Sequence, residues 1–302
     1  MKIHALFVVL ILGALAGCSS VVAPAQNGPL VSADIANVKE SDLLYVAAEQ
    51  YEVMVFAYHD GVIGQQVGLL ENFRYPRGMC TENDGAVWIT DQYQGRVTKY
   101  AHGGTQPIET IVEGGFSAND CAVDPVTGNL AVSNAHRESG AIRIYPPRAH
   151  KATVFKFSYF QPTSLAYDSA GNLVVTGGRG ELYELPYRGS QFENLSVSGG
   201  TLNGVSGIQW GNPNFLIGTS GNDGPVVDKL KVSYGVARIV GTIPLAGTVQ
   251  SQYPALRSGN LVVPDDAGDI VRVYSLSNGK IVSSISNLDR PWSAVVSQPP
   301  PK

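Results

Sequence analysis

A short apolar segment recurs six times along the chain at an almost fixed interval. It reads LYVA (44–47), VWIT (87–90), LAVS (130–133), LVVT (173–176), LIGT (216–219) and LVVP (261–264), with starts 43, 43, 43, 43 and 45 residues apart. Each copy is a run of aliphatic or β-branched residues, and several follow turn residues such as Gly171 and Asn172, as a buried strand after a tight turn requires. A period of about 40–45 residues built from strands alone is the spacing of propeller blades, in which each unit buries its apolar face only against its neighbours. The expected fold is all-β: a six-bladed β-propeller with four-stranded blades.

The rest of each repeat supports the same unit. A second strand follows: VMVFAY (53–58), RVTKY (96–100), AIRIY (141–145), ELYELPY (181–187), KLKVSY (229–234) and DIVRVY (269–274). All contain a closing tyrosine: Tyr58, Tyr100, Tyr145, Tyr187, Tyr234 and Tyr274. An aromatic at one repeated position is expected to pack each blade on the next, its hydroxyl reaching the wet edge. After a polar turn and an outer strand, a loop returns to an innermost strand, at YPRGMCTE (75–82), SANDCAVD (117–124), QPTSLAYD (161–168), SGIQW (206–210) and YPALR (253–257). The first unit lacks an inner strand, and the chain ends with a spare one, PWSAVVS (291–297). Pairing of 293–297 beside 44–47 would close the ring and remove two sheet edges. The propeller is thus assigned to 42–297. The remaining 298–302, with three prolines, cannot continue a ladder and is a tail.

Residues 1–17 read as a signal peptide, with Lys2 ahead of an apolar stretch (5–15) too short to span a bilayer permanently. The closing LAGC (15–18) resembles the bacterial lipobox. That resemblance implies cleavage before Cys18 and acylation of Cys18. Ser19, where a retention signal would place Asp, implies an outer-membrane lipoprotein facing the periplasm or the cell surface. Several acyl chains hold a membrane stably, whereas one is marginal. Residues 18–41 read as a flexible tether. A net charge of −4 without a basic tract argues against nucleic acid. The expected partners are the membrane, through the lipid, and an envelope protein or small molecule, and the chain is expected to be a monomer. No phosphate-binding glycine loop, CxxC pair or other cofactor motif stands out.

With Cys18 assigned to lipid, two of the three cysteines remain. Cys80 and Cys121 lie in corresponding inner strands of neighbouring units, in an exported and oxidising compartment, which predicts a disulfide. Cys80 stands two residues before Glu82 and Cys121 three before Asp124, so the side chains leave their strands on opposite faces, one forward and one back. Two buried thiols packing as small hydrophobes are the alternative.

A propeller's ligand face is built by the turns after the recurrent segments and by the loops into the inner strands. The candidates there are Asp91, Tyr93, His136, Arg179 and Asp265, with Asp120 from an inner-strand beginning. The inner-strand beginnings otherwise supply Arg77, Asn119, Thr163, Ser164, Ser206, Ala255 and Ser293, so hard oxygen ligands for a divalent metal are sparse. His59, His102 and His150 fall in equivalent turns at the opposite edge and are read as surface residues.

The pattern P-x-G…D-x-x-G-x-[LV]-x-[VI]-[TS]…Y, clearest at 76–100, 124–145 and 162–185, resembles NHL-repeat six-bladed propellers. That superfamily includes gluconolactonase-like hydrolases and streptogramin lyases. More narrowly, YAHGGTQPI (100–108) resembles bacterial lipoprotein propellers, which implies no particular activity. The favoured reading is a lipid-anchored binding or scaffold module. The alternative is a metal-dependent hydrolase of the gluconolactonase-like class using Asp120, Asp91 and Asp265. The late histidine cluster of the lyases has no counterpart, since no histidine follows His150.

Overall fold

The computed structural model describes residues 40–49, 51–112, 117–135, 140–220 and 224–301. The signal segment, Cys18 and nearly all of the tether lie outside these, as does His136. Every regular element among the described residues is a strand. A first sheet contains β1 (Asp42–Ala48), β2 (Val53–His59) and β3 (Val62–Leu70). The second has β4 (Pro76–Thr81), β5 (Val87–Asp91), β6 (Arg96–Tyr100) and β7 (Pro107–Val112). The third has β8 (Ala118–Val123), β9 (Leu130–Asn134), β10 (Ala141–Tyr145) and β11 (Thr153–Lys156). Next come β12 (Pro162–Tyr167), β13 (Leu173–Gly177), β14 (Leu182–Leu185) and β15 (Glu193–Ser198). They share one eight-stranded sheet with β16 (Gly207–Trp210), β17 (Phe215–Thr219), β18 (Val226–Ser233) and β19 (Val236–Pro244). A further sheet holds β20 (Ala255–Arg257), β21 (Asn260–Asp265), β22 (Ile270–Ser275) and β23 (Ile281–Ser286). The last strand, β24 (Pro291–Ser297), returns to the first sheet, beside β1.

The arrangement is that of a propeller. The inner strands β4, β8, β12, β16, β20 and β24 pack one against the next around an axis, and β24 meets β4 again. The recurrent segments are β1, β5, β9, β13, β17 and β21, and they are buried almost end to end. A strand with a sheet packed on both faces reads as a continuous apolar run without alternation. On β5, for example, Val87 and Ile89 pack against Tyr45, Val53 and Val55 of the first sheet, while Trp88 turns to Leu130 and Val132 of the third. Each such aliphatic side chain contributes about 1.5–3 kcal/mol by burial.

Ring closure follows the expected pairing. β24 runs antiparallel to β1, with Leu44 opposite Val296 and Ala47 opposite Ser293, and the ladder reaches Pro291 opposite Ala48. The disulfide is also present: Cys80 and Cys121 are bonded, with Cα atoms 5.6 Å apart. Register explains why the opposed directions work. Cys80 lies opposite Trp88 and Cys121 opposite Val132, so one side chain leaves the second sheet forward and the other leaves the third sheet backward, into a shared core.

Three expectations need correction. The closing tyrosines do not share one position. Tyr100, Tyr145 and Tyr274 stand opposite Val87, Leu130 and Leu261, but Leu185 takes that place opposite Leu173. Tyr58 lies further along its strand, opposite Asp42, and is still buried. Tyr234 is fully exposed, because β18 begins earlier, bulges at Lys229/Leu230 and ends before Tyr234, which turns with φ +52°. Secondly, His102 is not a surface residue: it is 8% exposed and sits under the closure seam. Thirdly, β15 and β19 pair in parallel, Ser196 to Ser198 beside Val236 to Arg238, and this short ladder joins what the repeat separates.

Candidate functional site

The recurrent strands all run toward one rim of the disc, and the inner strands begin there. At that rim the inner strands break register in a repeated way. β4 shifts between Pro76 and Met79, β8 between Ala118 and Asp120, and β12 between Pro162 and Ser164; the β1–β24 ladder skips Trp292. A bulge bends the strand and re-aims the extra side chain. The residues so released are Arg77 with Gly78, Asn119, Thr163 and Trp292, and they surround the axial mouth.

A network joins them across the axis. Asn119 Nδ2 donates to Thr163 O (2.6 Å) and to the Tyr253 hydroxyl (2.7 Å). Gln92 Nε2 donates to Asn119 Oδ1 (3.3 Å). Tyr253 is tied by its backbone to the last strand, its N–H donating to Trp292 O and its carbonyl accepting from Ala294 N. Burial pushes the Tyr253 phenol up to about 12, so it stays a neutral donor and acceptor. Arg77 is stacked between two rings, its guanidinium carbon 4.2 Å from the Tyr75 centroid and 3.9 Å from that of Trp292. Desolvation lowers the Arg77 pKa from its ordinary value, though not enough to discharge a guanidinium. Tyr93, 72% exposed, meets Tyr75 edge-on at 5.4 Å. Exposed Tyr51 and Tyr159 stand in other connections of this rim.

One layer below lies Asp120, 4% exposed. Its carboxylate accepts from Ser164 Oγ (2.5 Å), Cys121 N (2.9 Å) and Leu165 N (3.3 Å). Ser164 Oγ in turn accepts from Ile208 N (3.2 Å), so one buried chain links β8, β12 and β16. Burial pushes the Asp120 carboxyl up to about 7, with the three hydrogen bonds opposing. Gly78 is required beside it, because a Cβ there would come 2.5 Å from Asp120 Cα.

The structure does not gather the three acids considered for a metal. Asp91 and Asp265 are 0% exposed and lie beneath the face. Each closes the loop leading into its sheet. Asp91 accepts from Arg74 N and Tyr75 N (2.8 and 3.1 Å), and Asp265 from Val249 N and Gln250 N (both 2.9 Å). Each also faces an arginine of the next strand, Arg96 at 3.9 Å and Arg272 at 2.7 Å. Among the described residues no three metal-ligating side chains converge. Arg179 is exposed, its backbone N–H donating to Glu181 Oε2 (3.2 Å). The side chains that form the mouth are therefore Arg77, Asn119, Tyr75, Tyr253 and Trp292, with Tyr93 at its edge. Larger cavities of about 550 and 400 Å³ lie elsewhere, lined by Thr219, Asp228 and Thr242 and by Glu82, Trp88 and Lys99, away from the sequence-derived candidates.

No family model and no curated protein matches the chain. Among solved structures it is similar to a β-propeller chain from the crystal structure of a nidogen/laminin complex, with a TM-score of 0.73 and 14% identity, covering 86% of this chain and 100% of that one. Likeness at this identity concerns the fold alone.

Proposed function

We propose that this chain is an extracytoplasmic binding or scaffold module, held at the outer membrane by lipid on Cys18, whose axial mouth is the recognition face. The observation that carries this reading is the mouth itself: Arg77 stacked between Tyr75 and Trp292, with exposed Tyr93 at its edge. Tyrosine, tryptophan and arginine are the residues in which binding energy concentrates at interfaces. Chain direction supports the orientation. β1 begins and β24 ends at the rim opposite the mouth, so a lipid-bearing tether leading into Asp42 would join the disc away from the mouth and leave it unobstructed.

We also read the propeller as NHL-like, with six blades. The eight-stranded sheet then counts as two. Its halves repeat the same inner-to-outer order, and Ala166, Val174 and Leu182 of one share a core with Ile208, Phe215 and Ile217 of the other. Strands lying flat in one sheet do not face each other in this way. A photocrosslinker placed at Tyr93 tests the function in intact cells, with one at His150 on the opposite rim as control. A specific adduct from position 93 and none from 150 is expected; no adduct from 93, or equal adducts from both, would overturn it.

A further inference from the structure

We propose that the cavity of about 550 Å³ between the two halves of the eight-stranded sheet is a second binding site, for a small organic ammonium, with Asp228 as its counter-ion. It lies off the axis and does not depend on the reading of the axial mouth.

A fork between strands makes the cavity. β15 and β19 run side by side from Ser196 beside Val236 to Ser198 beside Arg238, and then part. The chain turns away at Gly199 (φ +82°), where a Cβ would come 2.8 Å from Ile239 O, while β19 continues to Pro244. Gly199, Ile239 and Pro244 all border the cavity. Its floor is one face of the β17–β18–β19 sheet. Asp228 stands opposite Thr242, and Val226, two residues before it, stands opposite Thr219. The four side chains therefore leave the sheet on the same side, and all four line the cavity.

Asp228 is 6% exposed, and it is held unlike every other buried acid among the described residues. Asp91, Asp120, Asp124 and Asp265 each accept from backbone N–H groups, and Asp266 accepts from Gln252 Nε2. Asp228 accepts from hydroxyls alone, Thr242 Oγ1 at 2.5 Å and Thr219 Oγ1 at 3.0 Å. None of the ion pairs among the described residues includes it. A carboxylate offers about four lone-pair sites, so about two are left over. Buried acids are normally matched by N–H donors or a cation, because burial without them is costly. The partner that Asp228 lacks is a cationic N–H donor, and an ammonium supplies both the charge and the donors.

The walls narrow the class. Asp228 is the only charged side chain among the described residues of the lining, which suits a single positive charge. No aromatic ring lines the cavity, so it is not a cage for a quaternary ammonium. Val226, Ile239, Pro244 and Leu245 offer aliphatic surface to the stem that carries the ammonium. One carboxylate is a poor donor set for a divalent metal, and among the described residues no three ligating side chains converge. The volume is that of pockets that take a whole small molecule, which favours a free amine over the tip of a partner's lysine.

The experiment uses the full chain in non-ionic detergent micelles at neutral pH and follows probe protons by saturation-transfer NMR. The probes are n-butylammonium, n-butanol and tetramethylammonium. Butylammonium should saturate, at least about ten-fold tighter than butanol, as expected for hydrogen bonds between charged groups. It should also bind several-fold tighter than tetramethylammonium, which has the charge without the N–H. Asp228→Asn should weaken it about ten-fold or more. Thr201→Trp, at an exposed position of the lining, leaves Asp228 in place and should block the cavity, so the test stands even where the first variant fails to fold. No saturable binding of butylammonium, equal binding of butanol, or binding unchanged in a folded chain of either variant would overturn the inference. Equal binding of tetramethylammonium would overturn the N–H donor. An acetylated, amidated Gly-Lys-Gly peptide that binds tighter than butylammonium would overturn the free amine and assign the ammonium to a lysine side chain.

Discussion

Asp120 should make the stability of this propeller depend on pH in a defined direction. Its carboxyl has an ordinary value of 3.8 and is pushed up to about 7 in the fold, chiefly by burial. Between those values the native chain holds a proton that the unfolded chain has released, so stability falls as pH rises. Below about pH 4 both states are protonated and above about pH 7 both are ionised, and the contribution is flat. About three units at 1.4 kcal/mol each amount to roughly 4 kcal/mol, present in acid and lost as pH rises through 7. Asp120→Asn removes the titration. Its amide oxygen still accepts from Cys121 N, while its NH₂ must face Ser164 Oγ, a hydroxyl that also accepts, and leaves Leu165 N–H without its acceptor, a cost that does not change with pH. The assay is the urea midpoint and slope of both proteins from pH 4.5 to 8. Wild type should lose about 3 kcal/mol relative to the variant across that range, the part of the effect that lies above pH 4.5. Glu52 and Glu184, also raised by burial, are common to both chains and cancel in the difference. Parallel stability curves would refute the account, because they would mean that Asp120 ionises alike in the folded and unfolded chain.

Replacing Cys80 and Cys121 by alanine should cost about 2–4 kcal/mol in the loop-entropy account of a crosslink, and neither residue of the wild type should react with a thiol reagent after denaturation without reductant. Gly78→Ala should destabilise by about 3 kcal/mol or more, since the new methyl meets the Asp120 backbone, and thermal melting will show it. Cys18→Ser should abolish incorporation of a fatty-acid analogue, and a wild type that takes up no label would remove the lipid anchor from the reading.

The ring was legible because its signal is repeated burial. A strand packed on both faces must be apolar throughout, and six such strands at one spacing leave little choice of fold. The disulfide was legible from the corresponding places of Cys80 and Cys121 in neighbouring inner strands. The mouth was not, because it is made by bulges. Nothing in the local sequence distinguishes Asn119, Thr163 or Trp292 as the residue that drops out of register; the crowding of inner strands at the axis decides it. The role of Asp91 and Asp265 did leave a trace, an arginine five and seven residues on, at Arg96 and Arg272. His102 occupies a turn like those of His59 and His150 in sequence. It alone is covered, because both ends of the ring meet above that turn.

That meeting point gives the last prediction. β24 spans the disc from the mouth, where Trp292 stacks on Arg77, to the far rim, where Ser297 ends the ladder. Ser297 Oγ, with one proton to share, lies 2.5 Å from Gly85 O and 2.6 Å from His102 Nδ1, which accepts because His102 Nε2 donates to Ser41 O at 3.1 Å. The next residue, Gly103, donates its N–H to the buried Tyr45 hydroxyl at 2.9 Å. One histidine of the second sheet thus holds both strands of the seam, the first by its approach and the last by its end. His102→Ala leaves the Ser41 carbonyl without that donor in a part-buried site and should cost about 1–3 kcal/mol. Ser297→Ala should cost a similar amount, and because the two side chains bond each other, the double variant should fall short of the sum by about 1 kcal/mol. If the latch secures closure, deleting 291–302 should shrink the effect of His102→Ala on stability to the part carried by its bond to Ser41. Strict additivity in the cycle, or an undiminished effect of His102→Ala in the shortened chain, would mean that β24 is held by its ladder to β1 alone.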